Sequence, residues 1–144
     1  MKKIFATFIS LLMLFTITSC GNKVEKFEIE TSKGITATVE LTKDELIEKI
    51  NNQDDFVLFL SQPTCGACAN FKPIINEYVT QKGIVIYKIE TIVGDLVDYK
   101  YTPTLAIFNA GEVVKSVDPM TKETVFSSVD NLNDFVEQWC IIPE

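Results

Sequence analysis

Apolar residues along this chain follow two spacings, and the first of them is typical of strands. Apolar and polar positions alternate over 26–31 and over 35–41, and unbroken apolar runs occupy 56–60 and 84–89. Alternation indicates a strand with one buried face, whereas an unbroken run suits a strand buried on both faces. The pattern therefore predicts two N-terminal strands joined by a turn at 32–34, followed by two buried strands.

The second spacing, with apolar residues three or four positions apart, predicts three helices. Thr42 and Glu45 form a capping box that begins the first helix, and Gly83 is a C-terminal stop for the second. We expect Asn131 to cap the third helix, whose apolar side would bury Cys140 as a small hydrophobic residue. The three apolar faces consist of Leu46, Ile47 and Ile50; Phe71, Ile74, Ile75, Tyr78 and Val79; and Leu132, Phe135, Val136, Trp139 and Cys140.

The order of these elements determines the predicted fold class. Two further strands, 104–108 and 112–117, form a hairpin around 109–111, and the stretch 91–101 is compatible with a short helical turn. Strand–helix–strand followed by a hairpin and a helix predicts an α/β domain with a mixed central sheet flanked by helices. We expect this single domain to occupy 27–144.

The N-terminal segment has the features of an export signal. A positive start at 1–3 precedes an apolar run over 4–17, and small or polar residues then lead to Cys20. The run is shorter than the roughly 20 apolar residues of a membrane-spanning helix. Its end, 17–20, resembles the lipobox of bacterial lipoproteins. That resemblance implies that 1–19 are removed and that the sulfur of Cys20 carries a diacylglyceryl group; the alternative is an ordinary signal peptide with a chance cysteine.

Composition narrows the predicted location and partners. The chain has 13 lysines, no arginine or histidine, and 20 acidic residues, giving a formal charge of −7; loss of 1–19 removes two lysines and gives −9. An anionic lipid surface would repel such a chain, so acyl chains on Cys20 would have to hold it, with 20–26 as a short tether. We expect a lipid-anchored monomer at the extracytoplasmic face of the cell membrane. The charge excludes nucleic acid as a partner, and the missing histidine excludes Cys-His and Ser-His catalysis.

The sequence Cys65-Gly66-Ala67-Cys68 is the candidate chemical site. It lies where the buried strand 56–60 meets the second helix. Unpaired N–H groups and the helix dipole favour an anion at the first cysteine, and the thiolate is the reactive form of a thiol. We therefore expect Cys65 to attack a partner and Cys68, one turn further on, to resolve the mixed disulfide.

Two other interpretations of the Cys65–Cys68 pair remain open. Exported proteins commonly contain structural disulfides, although a bridge across two intervening residues at a helix start is unusual. A zinc site would need four ligands, and Cys140 is the one cysteine left once Cys20 is lipidated. We therefore expect neither a metal nor another cofactor.

Several stretches together resemble thioredoxins. These are the apolar strand 56–60, the dithiol at 65–68 and the stretch 101–114, which is similar to the thioredoxin cis-proline segment and its hairpin. The similarity covers roughly 40–140. It implies a thioredoxin-like fold and a thiol–disulfide oxidoreductase activity.

The resemblance also implies roles for single residues. Pro103 would be the cis-proline that faces the dithiol, Thr102 would contact the backbone of the substrate, and Pro73 would kink the second helix. Two positions depart from the family pattern. Phe59 stands where thioredoxins usually have a buried carboxylate that helps to deprotonate the second thiol, and Thr64 stands in place of a tryptophan.

The departure at Phe59 leaves the base of the resolving step open, with Lys88, Glu90 or water as candidates. The lipobox and dithiol are similar to those of extracytoplasmic thioredoxin-like lipoproteins, including bacteriocin transport accessory proteins. This similarity implies a membrane-tethered oxidoreductase that acts on thiols or disulfides of exported proteins and exchanges electrons with a membrane redox partner. The alternative is a non-catalytic accessory module of an export system. The direction of the reaction depends on the reduction potential of the dithiol relative to that of its surroundings.

Overall fold

The computed structural model describes residues 25–90 and 92–143, which form seven strands and four α-helices. The export signal, Cys20 and the first residues of the tether lie outside the described residues. None of the helices in the described ranges is long and apolar enough to cross a membrane. The elements, in chain order, are β1 Phe27–Glu28, β2 Val39–Glu40, α1 Lys43–Asn51, β3 Phe56–Leu60, α2 Gly66–Lys82, β4 Tyr87–Ile89, β5 Thr104–Asn109, β6 Glu112–Val117, α3 Pro119–Lys122, a 3₁₀ turn Glu123–Phe126, α4 Val129–Val136 and β7 Cys140–Ile141.

A five-stranded mixed sheet in the order β2-β4-β3-β5-β6 is the centre of the domain. β3 pairs in parallel with β4 and antiparallel with β5, and all five of its residues are buried. Phe59 packs into the hydrophobic cluster on the sheet face covered by α2 and α4, while Leu58 packs into the cluster on the α1 face. The unbroken apolar run of β3 is explained because helices cover both of its faces. The predicted mixed sheet flanked by helices is confirmed.

The predicted pairing of the first two strands is wrong. β1 pairs in parallel with β7 in a separate two-stranded sheet, and β2 pairs in parallel with β4 at the edge of the main sheet. Alternation identified a half-buried face, since Phe27 and Ile29 are buried, but it carries no information about the partner strand. Here each short strand gains its hydrogen bonds from a segment far along the chain.

The predicted bounds of the last helix are also wrong. The hydroxyl of Ser128, rather than Asn131, caps α4, because it accepts the backbone N–H of Asn131 at 3.2 Å. The helix ends at Val136, so Cys140 lies in β7 and not on the apolar side of α4. Its burial is nevertheless as expected, because β7 packs into the same hydrophobic cluster, and Trp139 is half-buried beside it.

Two connections complete the domain between the strands. The expected short helical turn within 91–101 is present, because the N–H of Val97 donates to the carbonyl of Val93 at 2.9 Å. After β6, Asp118 caps α3 and leads into the 3₁₀ turn, an excursion that the apolar spacing did not predict. β4 is shorter than the predicted strand 84–89, although 84–86 are buried as expected.

Candidate active site at the N-terminus of helix α2

Cys65 and Cys68 are joined by a disulfide at the point where β3 leads into α2. Cys65 is the N-cap of the helix, with extended backbone angles (φ −85°, ψ 106°), and its Sγ accepts the backbone N–H of Cys68 at 3.0 Å. The first turn of α2 contains no acidic residue that would neutralise the positive end of the helix dipole. An anionic sulfur at Cys65 is therefore favoured both by a hydrogen bond and by the dipole.

The two sulfur atoms differ in their access to solvent. Cys65 is half-buried and follows the exposed residue Thr64, whereas Cys68 is 4% exposed and faces the hydrophobic cluster beneath α2. A thiol or disulfide of another molecule can therefore reach Cys65 from solvent but has little direct access to Cys68. This geometry is consistent with the expected order, in which Cys65 attacks and Cys68 resolves.

Thr102 and Pro103 lie directly against the dithiol. Their peptide bond is cis, and the carbonyl oxygen of Thr102 is 3.3 Å from Sγ of Cys65. Pro103 is buried directly before β5, while Thr102 is half-buried and the adjacent Tyr101 is 52% exposed. The structure thus brings together the four residues that the sequence assigned to the site. Contact between Thr102 and a substrate backbone stays a prediction.

A cavity of about 170 Å³ lies behind the disulfide, on the side of β3 and β4. Both cysteines line it, together with Phe59, and the ring of Phe59 packs edge-on against Phe71 with centroids 5.4 Å apart. Phe59 therefore does lie beneath Cys68, and this wall of the cavity is apolar. The remaining lining residues are Ser61, Gln62, Pro63, Ala69, Lys72, Lys88 and Glu90.

Lys88 brings a charged cluster to the edge of this cavity. Its side chain is 7% exposed, and its ammonium pairs with Glu40 at 2.6 Å and with Glu90 at 2.8 Å. Burial alone would lower the pKa of Lys88, but the hydrogen bonds to the two carboxylates raise it above its ordinary value. The ammonium is therefore protonated at neutral pH. Sequence reasoning missed Glu40, because it faces Lys88 through the unpredicted pairing of β2 with β4.

A second cleft begins at Ala67, the residue before Cys68, and neither cysteine lines it. Ala67 and Pro103 form one wall, and the 3₁₀ turn contributes Glu123 and Phe126 to the other. Phe126 also packs against Phe71, with ring centroids 4.8 Å apart. This wall is built from the segment that the apolar spacing did not predict, so no sequence signal pointed to the cleft.

Cys140 is remote from this chemistry. Its side chain is 2% exposed and lies in the hydrophobic cluster, and burial raises the pKa of its thiol to about 12. It is the one free cysteine among the residues that the structure describes. A thiol in this environment is uncharged at neutral pH and is therefore a poor nucleophile.

The chain is similar to known proteins in sequence and in fold. The chain is 28% identical over 123 residues to protein disulfide isomerase-like 1-1 of Arabidopsis thaliana, an alignment that spans 79% of this chain and 24% of that protein. Its fold is similar to that of a mutant thioredoxin from Halobacterium salinarum (17% identity, TM-score 0.59, 76% of this chain and 96% of the other). It is also similar to the thioredoxin NaTrxh from Nicotiana alata (17% identity, TM-score 0.56, 75% of this chain and 96% of the other).

The family match covers most of the domain. The thioredoxin family profile matches residues 37–131, which include the dithiol, the cis-proline and every strand of the main sheet. The disulfide between Cys65 and Cys68 therefore lies within the matched region. The chain belongs to the thioredoxin family.

Proposed function

We propose that the protein is a thiol–disulfide oxidoreductase, tethered through lipidated Cys20 to the extracytoplasmic face of the cell membrane, that acts on exported proteins. One observation supports the redox activity in this proposal. Cys65 is the half-exposed N-cap of α2 and is disulfide-bonded to Cys68. The tether and the location rest on the sequence pattern of residues 1–20. The substrate class follows from that location, where exported chains form and rearrange disulfides.

The reduction of a substrate disulfide would take two steps. The thiolate of Cys65 forms a bond to one substrate sulfur, and the other substrate sulfur leaves as a thiolate. Cys68 then loses its proton and attacks Sγ of Cys65, which breaks the mixed disulfide and releases the second substrate thiolate. Two electrons pass from the dithiol to the substrate, and oxidation of a substrate dithiol is the same sequence in reverse.

The site also supports a second candidate function, a non-catalytic accessory module of an export system. The observation that favours it is Phe59, an apolar residue beneath a buried Cys68, because an apolar neighbour gives no hydrogen bond to the thiolate that resolution requires. In such a module the disulfide would serve the fold or a docking surface and would not turn over.

Insulin reduction distinguishes the two candidates. The full chain, purified in detergent and assayed with dithiothreitol as electron donor, is expected to accelerate insulin precipitation, and Cys65→Ala is expected to abolish the acceleration. Cys140→Ala is the matched control, since it removes a buried thiol remote from the site. If the native chain does not exceed the rate with dithiothreitol alone, the protein is not an oxidoreductase of this kind and the accessory module is favoured.

A further inference from the structure

The resolving step needs a proton acceptor, and the structure restricts the choice. Cys68 is 4% exposed, so bulk water has little direct access to its thiol. Apart from the two cysteines, the titratable side chains that line the cavity beside it are Lys72, Lys88 and Glu90. A base for Cys68 among the described residues should come from this set.

The two lysines are unsuitable as bases. Lys72 lies on the exposed side of α2, and a lysine ammonium has three hydrogen-bond donors and no acceptor. Lys88 is buried, but its bonds to Glu40 and Glu90 raise the pKa of its ammonium, which keeps the proton in place. Glu90 is the remaining group, and a carboxylate has free lone pairs to accept a proton.

Glu90 also connects the cavity with solvent. Its side chain is 42% exposed, yet one carboxylate oxygen is held 2.8 Å from Nζ of Lys88 inside the cavity wall. The cavity offers water about 170 Å³, more than the roughly 10–15 Å³ that one water molecule requires. A proton that leaves Cys68 can therefore reach the carboxylate through water and pass from there to bulk solvent.

Glu40, which pairs with Lys88 alongside Glu90, prevents an isolated buried charge during this transfer. When Glu90 carries a proton it no longer balances Lys88, but Glu40 remains 2.6 Å from the same ammonium. Because an unpaired buried ammonium would be costly, this second carboxylate lets Glu90 change its charge without leaving Lys88 alone.

We propose that Glu90 accepts the proton of Cys68 through water in this cavity. Lys88, which also pairs with Glu40, holds the carboxylate of Glu90 in place. The proposal rests on the proposed oxidoreductase function and adds its missing base. In the balanced step, the proton moves from Cys68 to Glu90 and then to solvent, and the Cys68 thiolate attacks Sγ of Cys65. A new bond joins Cys65 and Cys68, and the bond between Cys65 and the substrate breaks. The substrate sulfur leaves with the electron pair.

The test separates the two steps with dithiobis(nitrobenzoate), an aromatic disulfide that releases one coloured thiolate in each step. The full chain in detergent carries Cys20→Ser and Cys140→Ala, so that Cys65 and Cys68 are its remaining thiols. It is reduced, freed of reductant and mixed with one equivalent of reagent. The rate of the first release depends on the concentrations of protein and reagent, and it reports attack by Cys65. The rate of the second release is independent of concentration, and it reports resolution by Cys68. Cys68→Ala should show the first release alone.

In this background, Glu90→Gln is expected to leave the first release unchanged and to slow the second about tenfold or more at neutral pH, as for loss of a general base. The second rate should then rise in proportion to hydroxide and approach that of the parent chain at alkaline pH. Glu90→Asp should recover part of the rate. Glu40→Gln is the comparison variant, because it removes the same charge and the other partner of Lys88 but keeps the carboxylate that takes the proton. It should slow the second release clearly less than Glu90→Gln does.

Each alternative outcome has a distinct meaning. An unchanged second release in folded Glu90→Gln would overturn the proposal and leave the oxidoreductase function standing. Equal slowing by Glu90→Gln and Glu40→Gln would overturn it in favour of a purely structural role of the ion pairs. If the parent chain itself gives no first release, the oxidoreductase function fails, and the proposal fails with it.

Discussion

Cys65 and Cys68 are three residues apart, yet their surroundings assign them different chemistry. Sγ of Cys65 is partly open to solvent and faces the N–H of Cys68 and the carbonyl of Thr102, whereas Cys68 is enclosed by its own helix and the core. The sequence predicted this asymmetry because it follows from position in a helix, which local residues determine. The contact with Thr102 came from family resemblance, since no local pattern places residue 102 beside residue 65.

The asymmetry predicts which cysteine variant traps partners in cells. Cys68→Ala should accumulate mixed disulfides through Cys65 with exported or membrane proteins, because the resolving thiol is absent. Cys65→Ala should trap almost nothing, since the remaining thiol is buried. Non-reducing electrophoresis of both variants, followed by identification of the trapped chains, measures this. Equal trapping by the two variants would contradict the assigned roles.

Phe59 allows a second test at the residue scale. Phe59→Asp places a carboxylate beneath Cys68 and should speed the second thiolate release in the aromatic disulfide assay. It should also lower the free energy of unfolding by at least about 3 kcal/mol, because it removes a buried aromatic ring and buries a charge. Phe59→Leu is the control. It should lower the free energy of unfolding by less than Phe59→Asp does and leave the rate of the second release unchanged. Chemical denaturation gives the stabilities, and an unaltered release rate in folded Phe59→Asp would contradict the prediction.

At the scale of elements, predictability followed the range of the determining interactions. The capping box of α1, the buried strand β3, and the end of α2 at Gly83 depend on neighbouring residues, and all three were predicted. The partner strands of β1 and β2 lie roughly fifty or more residues away along the chain, and the sequence did not predict them. The cap at Ser128 was missed because several residues before α4 are good caps, and burial of the helix face selects among them.

The hairpin of β5 and β6 contains a glycine that this fold requires for two separate reasons. Gly111 has φ +76°, and a Cβ there would collide with the carbonyl oxygen of Ile50 at the end of α1. Gly34 has the same φ but open space around it. Gly34→Ala should therefore cost about 1–2 kcal/mol, the strain of a left-handed backbone. Gly111→Ala should cost clearly more, because the hairpin must also move away from α1. Equal losses in urea unfolding would show that the contact with α1 is unimportant.

For the whole molecule, the functional site depends on connections that the sequence pattern left undefined. Lys88 is one of the residues that line the cavity behind the dithiol, and Glu40 reaches it because β2 joins the sheet beside β4. The cleft that begins at Ala67 exists because the segment after β6 folds back as α3 and the 3₁₀ turn. The sequence thus predicted the reactive residues and the fold class. It could not predict the walls of the site, because these form through long-range pairing.

The last prediction concerns how the molecule is held at the membrane. If residues 1–19 are removed as proposed, the remaining chain carries −9, so an anionic surface would repel it and the proposed attachment would depend on acyl chains on Cys20. Metabolic labelling with a fatty acid should therefore mark the wild-type chain and the control Cys140→Ala but not Cys20→Ala, which should retain residues 1–19. Salt should not release the wild-type chain from membranes, because screening weakens attraction between charges and leaves acyl burial intact. Release by salt, or an unlabelled chain free in the medium, would contradict the anchor. With about six residues between Cys20 and β1, a span of about 20 Å, the anchor would hold the domain close to the membrane surface.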